Sequence, residues 1–294
     1  MKEITGSGKA DLNFRVGVIG HPIGHTLSPA MHTAAFNELH LPFAYGVFDV
    51  VDEFLPALIA SLRKNGFAGA NITIPHKQRV IPLLDTVDED AAAIGAVNTI
   101  VNHDSKLTGY NTDVAGIEQA LEPFKERIRK MSVVVLGAGG GARAATYAIS
   151  KNFSPASVRL YNRTSGRAEM MVNDFQKMFP GIAYENVSDA RRLPDVIADS
   201  VLVVNTTPAG MTPNIDALPI PSAIRFSNHQ IIFYIIYTPI ETAFLRRAKA
   251  DSAATINGVE MFIHQGAKAF ELWTGKPFPV DVARRAVLKA LTTA

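Results

Sequence analysis

Short runs of β-branched and apolar residues alternate along this chain with longer stretches in which apolar positions recur three and four residues apart. Strands and amphipathic helices leave these two periods, and their alternation is the pattern of an α/β fold with parallel strands. Phe14 to Gly20 reads as a first strand, Pro29 to Leu39 as a helix and Phe43 to Val50 as a second strand. Glu53 to Asn65 reads as a helix and Phe67 to Ile74 as a third strand, followed by short strands at Thr99 to Val101 and Leu107 to Tyr110. Near residue 114 the pattern changes. A helical stretch, Gly116 to Arg129, leads into the strand Ser132 to Leu136, which runs directly into Gly137-Ala-Gly-Gly-Gly-Ala142. Strands follow at Ser157 to Tyr161, Val201 to Val204 and Ile231 to Tyr237, and helical periodicity returns from Asn257 to Leu291.

The break predicts two domains: residues 1–114, completed by C-terminal helices 254–294, and residues 115–253. The expected architecture is an N-terminal α/β domain plus a Rossmann-like dinucleotide-binding domain, with a cleft between them. A chain of 294 residues that is 47% hydrophobic is long and apolar enough for two cores and excludes disorder. It has no cysteine, which excludes disulfides, thiolate zinc sites, iron–sulfur ligation and a cysteine nucleophile. The net charge of +2, without a basic segment, argues against a nucleic-acid surface and leaves room for a small anionic ligand. The most apolar run, Gln230 to Tyr237, is too short to span a bilayer, which needs about 20 residues. Met1 to Gly8 lacks the apolar core of a signal peptide and reads as a short disordered lead, so a cytoplasmic location is expected.

Gly137, Gly139 and Ala142 fit the G-x-G-x-x-[G/A] pattern between a strand and the helical run Ala142 to Ser150. That context demands a tight turn, close backbone approach to a pyrophosphate and a helix N-terminus facing the anion. A purely structural glycine turn is the alternative. An NAD-selective site carries Asp or Glu at the end of the next strand, about 20 residues on. Here Tyr161 is followed by Asn162, Arg163 and Thr164, with Arg167 one helical turn beyond. Two guanidiniums at that spot suit a 2′-phosphate, which favours NADP over NAD; the plainer reading is a solvated basic turn.

Four polar stretches end predicted strands of the first domain: Thr26-Leu-Ser28-Pro29, Asn71-Ile-Thr73-Ile-Pro-His-Lys77, Ala96-Val-Asn98-Thr99 and Asn111-Thr-Asp113. In open α/β sheets ligands bind outside the carboxyl ends of the strands. Hydroxyls, amides, one ammonium and one carboxylate suit a small polyhydroxylated ligand. Reduction of a ketone builds negative charge on oxygen and needs a positioned proton donor, which Lys77 can supply with Asp113 holding it in place. An ordinary ion pair is the alternative for these two. His21 and His25 flank a Pro-Ile-Gly turn and His32 lies further along. Without carboxylates at ligand spacing they predict no metal site, and they read instead as shaping the turn and capping the helix.

These motifs, with Asn205-Thr-Thr-Pro-Ala-Gly-Met211, Tyr237-Thr-Pro-Ile-Glu-Thr242 and Gly258-Val-Glu-Met-Phe-Ile-His-Gln265, occur in an order that resembles the shikimate dehydrogenase family from about Val16 to Phe278. The resemblance implies reversible NADP-dependent reduction of 3-dehydroshikimate to shikimate, within aromatic amino-acid biosynthesis, by a monomer or homodimer. It implies Lys77 and Asp113 as the catalytic pair and Thr26, Ser28, Thr73, Asn98, Tyr237 and Gln265 as substrate-binding residues. For the cofactor it implies Gly137, Ala138, Gly139, Gly140, Gly141 and Ala142, then Asn162, Arg163, Thr164 and Arg167, with Thr206, Ile235 and Gly258 along its path. Two positions depart from the family's usual residues: Thr26 stands where Ser is usual, and Tyr234 where Asp is usual. An NAD-using quinate/shikimate dehydrogenase and a dinucleotide sensor without catalysis are the rival readings.

Overall fold

The computed structural model describes residues 14–24, 26–64 and 66–293. The expectations placed on Met1 to Gly8, His25 and Asn65 lie outside the described residues. In chain order the elements of the first part are β1 (Phe14–Gly20), α1 (Ser28–Glu38), β2 (Phe43–Asp49), α2 (Leu55–Leu62), β3 (Gly69–Ile72), β4 (Thr86–Val87), α3 (Glu89–Ile94), β5 (Thr99–His103) and β6 (Lys106–Tyr110). There follow α4 (Asp113–Leu121), α5 (Lys125–Ile128), β7 (Ser132–Leu136), α6 (Gly140–Phe153), β8 (Ser157–Tyr161), α7 (Ser165–Met178), β9 (Ala183–Asn186), α8 (Leu193–Ala198) and β10 (Leu202–Asn205). The chain ends with β11 (Ile231–Tyr234), α9 (Ala243–Ala250), β12 (Ala254–Ile256), α10 (Val259–Thr274) and α11 (Val280–Thr293). Two units result: one holds the described residues up to Thr112 and those from Ile263 onward, the other Asp113–Phe262.

The first unit is built on a sheet in the order β2-β1-β3-β5-β6-β4. It is mixed rather than all parallel, because β5 runs antiparallel to both β3 and β6. The cause is local. Asp104 and Ser105 both take positive φ, 51° and 67°, the backbone of a tight two-residue hairpin, and such a turn joins only antiparallel strands. The start of β5 is thereby set beside the ends of β3 and β6.

One face of this sheet buries Ile19, Leu55, Ile59, Leu62, Ile72 and Ile100. The other carries α1 with α11 alongside it, and an aromatic cluster in which Phe36 stacks on Phe270 at 5.1 Å between ring centroids. Trp273 donates its indole N–H to Ile100 O at 2.9 Å. The predicted helix from Asn257 to Leu291 is in fact two: Gly275 at φ 65° and the prolines at 277 and 279 separate α10 from α11.

The second unit carries a sheet ordered β12-β11-β10-β7-β8-β9, parallel throughout. Counting its strands along the chain gives the 3-2-1-4-5-6 order of the dinucleotide-binding fold, whose switch point lies between β7 and β10. The domain boundary expected at residue 254 falls later, because Ala254–Ile256 pairs with β11 as the last strand of this sheet. Ala142, Ala144, Ala145 and Ala148 of α6 are buried; side chains this small let the helix approach the sheet closely.

Candidate active site

In the first unit, backbone bonds place the predicted substrate residues at one end of the sheet. Thr73 N–H donates to Ile19 O at 2.9 Å, Ile72 N–H to Asn98 O at 2.7 Å and Asn98 N–H to Tyr110 O at 3.0 Å. Lys77 follows in a turn whose carbonyl accepts Val97 N–H at 2.8 Å. The turn is pinned by His76, which is fully buried and donates from Nε2 to Val50 O at 2.6 Å. Thr73, Lys77 and Asn98 therefore meet at one edge because β1, β3 and β6 end where β5 begins.

The oxygen of the Asn98 carboxamide is committed within the protein. Asn98 Oδ1 accepts Thr112 N–H at 2.7 Å and the hydroxyls of Thr99 and Thr112 at 3.1 and 3.2 Å. With three donors on it, that oxygen has no capacity left for a ligand. A supporting layer that sequence reading did not single out lies behind it: Tyr45 OH donates to Asn71 Oδ1 at 2.7 Å, and Asn71 Nδ2 donates to Thr99 Oγ1 at 3.1 Å. Asn71 belongs to the same polar stretch as Thr73, which was its only signal.

Thr26 and Ser28 open α1. Thr26 Oγ1 accepts Ser28 N–H at 3.3 Å and donates to Ser28 Oγ at 3.2 Å, so the two hydroxyls form one unit, and Pro29 stands at a first-turn position that needs no N–H. A Cβ at Gly266 would come within 2.1 Å of Met31 Cε. The absence of that side chain sets the turn of α10 that carries Gln265 against α1. Asp113 is buried and begins α4 in the second unit, one residue past Thr112. Tyr237, also in the second unit, packs against Phe262 with ring centroids 4.3 Å apart.

His32 overturns its expected role. Instead of capping α1 it is fully buried, stacked on Tyr45 with ring centroids 4.6 Å apart and planes within 4°. Phe36, Phe270, Trp273 and Phe278 surround it. Among the described residues neither ring nitrogen finds a hydrogen-bond partner, and burial pushes its pKa down to about 3. His21 instead donates from Nδ1 to Asp49 at 2.6 Å.

The second unit holds the predicted nucleotide residues at the switch point. Gly137 takes φ 115°, and a Cβ there would come within 2.4 Å of Thr206 Oγ1, so backbone conformation and space both demand glycine. Thr206 in turn donates from Oγ1 to Leu136 O at 2.7 Å, tying the end of β7 to the loop after β10. At Gly139 a Cβ would meet nothing within 4 Å. Gly139 is also the N-cap of α6 and offers no side chain to the helix's first N–H groups. Open space ahead of an uncapped helix N-terminus fits a pyrophosphate. Ile235 lies against two of the predicted positions: its Cδ1 would be 2.9 Å from a Cβ at Gly141 and its carbonyl oxygen 2.4 Å from one at Gly258.

At the end of β8, Asn162 Nδ2 donates to Thr164 O at 2.8 Å and shapes the turn into α7. Arg163 and Arg167 are both exposed, and no carboxylate among the described residues pairs with either side chain. Among the described residues the turn accordingly holds positive charge without a counter-ion.

Residues 18–100 match the family described as shikimate dehydrogenase substrate binding domain, and residues 258–288 match the shikimate 5'-dehydrogenase C-terminal domain. The shikimate dehydrogenase (NADP(+)) of Methanocaldococcus jannaschii is 40% identical over 278 residues, 94% of this chain and 97% of the relative. That of Geobacillus kaustophilus is 42% identical over 276 residues, 94% of this chain and 98% of the relative. This chain belongs to the shikimate dehydrogenase family. The crystal structure of shikimate 5-dehydrogenase from Thermus thermophilus in complex with NADP(H) and shikimate superposes with a TM-score of 0.83 at 33% identity, covering 95% of this chain and all of that one.

Of the two departures from the usual shikimate dehydrogenase residues, Thr26 keeps its hydroxyl in the pair with Ser28. Tyr234 is the larger change. It is fully buried at the end of β11, and its hydroxyl donates to the carbonyl of Ala209, with Thr207 O at 3.3 Å.

Proposed function

We propose that this protein is an NADP-dependent oxidoreductase that interconverts 3-dehydroshikimate and shikimate, a step toward chorismate and the aromatic amino acids. The observation that carries this reading is the set Thr73, Lys77 and Asn98 gathered at one edge of the first sheet, in a chain 40% identical to a shikimate dehydrogenase (NADP(+)).

In the reduction, NADPH supplies the hydride that adds to the ketone carbon. Charge then develops on the ketone oxygen, and Lys77 donates a proton to it while Asp113 orients the ammonium; in the oxidation Lys77 takes the proton back. Thr26 and Ser28 present a linked hydroxyl pair suited to the substrate carboxylate. Thr73, Asn98 from its Nδ2, Tyr237 and Gln265 suit the ring hydroxyls. For the cofactor, the backbone from Gly137 to Ala142 takes the pyrophosphate at the N-terminus of α6, and Asn162, Arg163, Thr164 and Arg167 take the adenosine 2′-phosphate. Thr206, Ile235 and Gly258 border the rest of its path. Among the described residues no helix is long and apolar enough to cross a membrane, and we place the reaction in the cytoplasm, by a monomer or homodimer.

The test is cofactor absorbance with the purified protein, shikimate or quinate being offered with NADP+ or NAD+. Shikimate with NADP+ should turn over fastest. Faster turnover of quinate with NAD+ would move the protein to the quinate/shikimate class. NADPH binding without any shikimate-dependent change would leave a sensor that does no chemistry.

A further inference from the structure

The loop after β10, from Thr206 to Met211, crosses the switch point of the second sheet, and its first residue is the one that packs on Gly137. Two side chains hold it. Asn205 Oδ1 accepts Thr207 N–H at 3.0 Å and the Thr207 hydroxyl at 2.8 Å, which fixes the start of the turn. The far side is held by Tyr234, whose hydroxyl donates to Ala209 O and lies 3.3 Å from Thr207 O. Gly210, at φ 97°, passes close by: a Cβ there would be 3.5 Å from the Tyr234 hydroxyl and 3.3 Å from Ala217 O. Tyr234 itself is closely packed. Its ring is fully buried, meets Phe244 edge-on at 6.2 Å, and sits opposite Asn205 in the β10–β11 register.

We infer that Tyr234 is a positioning residue for the dinucleotide, its hydroxyl clamping the Thr206–Met211 loop through the carbonyls of Thr207 and Ala209. The chemistry of this position explains why the usual aspartate would not serve here. A carboxylate only accepts hydrogen bonds; besides the Asn205 carboxamide, what faces this position is a pair of carbonyl oxygens, which also only accept and which a carboxylate would leave without a donor. A phenol has one O–H to donate, which Ala209 O takes with Thr207 O as the weaker second acceptor at 3.3 Å. Burial pushes the phenol's pKa above its ordinary value, so it stays a donor across the neutral range.

The inference rests on the proposed function for its consequence, since the loop matters only if a dinucleotide lies against it. Tyr234→Phe removes the hydroxyl and keeps the buried ring, and the affinity should fall by the equivalent of about one hydrogen bond. We expect KM and Kd for NADPH to rise about 3- to 10-fold, with KM for shikimate and kcat changed by less than about twofold. In the same variant without cofactor, amide exchange at Thr207, Ala209 and Gly210 should quicken while exchange in β10 and β11 stays as in the parent. If exchange in the loop and NADPH affinity were both unchanged, the clamp would be overturned. A proportional loss for both substrates would show a general structural role and overturn it equally. Parent protein that fails to oxidise shikimate would sink the proposed function instead, and the exchange comparison would still report on the clamp.

Discussion

Asn98 Oδ1 accepts the backbone N–H of Thr112 at 2.7 Å, joining the start of β5 to the residue immediately before Asp113. The bond ties a predicted substrate residue to the segment that launches a predicted catalytic one. A buried N–H stripped of its acceptor costs about 1–3 kcal/mol. Asn98→Ala should therefore lower the thermal midpoint by several degrees and raise KM for shikimate together. An unchanged midpoint in calorimetry would mean that another group takes over the Thr112 N–H.

His32 makes stability sensitive to acid. Burial pushes its pKa from the ordinary 6.5 of a histidine down to about 3 in the folded protein, so between those limits the unfolded chain binds a proton that the folded protein does not. Stability is full above about pH 6.5 and is lost as pH falls toward 3, by up to about 1.4 kcal/mol per unit. The groups around the ring are aromatic, and Tyr45, the titratable one among them, spends its hydroxyl on Asn71. His32→Leu should flatten this limb of the pH–stability curve relative to the parent in urea titrations. Parallel curves would show that the acid loss comes from other groups.

What could be read from sequence follows from how local each cause is. The run of Ser132 to Leu136 into Gly137 was legible because strand, turn and helix are contiguous, and the conformation of Gly137 matches what the motif demands. The turn between Thr99–Val101 and Leu107–Tyr110 was legible from its polar residues, but the left-handed backbone at both Asp104 and Ser105, and the antiparallel pairing that it brings, was not, since an Asp-Ser pair marks that turn less strongly than Asn-Gly or Asp-Gly would. The strands Ala183–Asn186 and Ala254–Ile256 are short, half-exposed edge elements with little periodicity. His32 and Tyr234 were legible only as a histidine near a helix start and a departure from a pattern. Their meaning comes from Tyr45, Phe270, Thr207 and Ala209, partners brought to them by the tertiary fold.

Lys77 is the proton donor of the proposed reaction, and its backbone is fixed through Val97 and His76 independently of its side chain. Lys77→Ala should therefore leave the fold and NADPH affinity nearly unchanged and lower kcat by about 100-fold or more, the scale of a lost general acid. Single-turnover measurements should show the loss in the chemical step. Near-normal turnover would assign the proton to water or to another group.

The proposed function puts cofactor choice at the end of β8, where Arg163 and Arg167 are exposed and an NAD-selective protein would place a carboxylate. A guanidinium pairs with a phosphate through short, planar, charge-assisted bonds, and NAD has no phosphate there to receive them. Arg163→Ala should therefore weaken NADP+ binding by about 10-fold at low salt, while NAD+ binding changes little. Because the contact is exposed, salt should screen it, and the gap between parent and variant should narrow as ionic strength rises toward the range where the Debye length is about 8 Å and beyond. Titration of both cofactors at low and high salt separates the alternatives. An equal loss for NADP+ and NAD+ would mean that Arg163 supports the adenine or the turn before α7, and the 2′-phosphate would then have to be read by Arg167 alone.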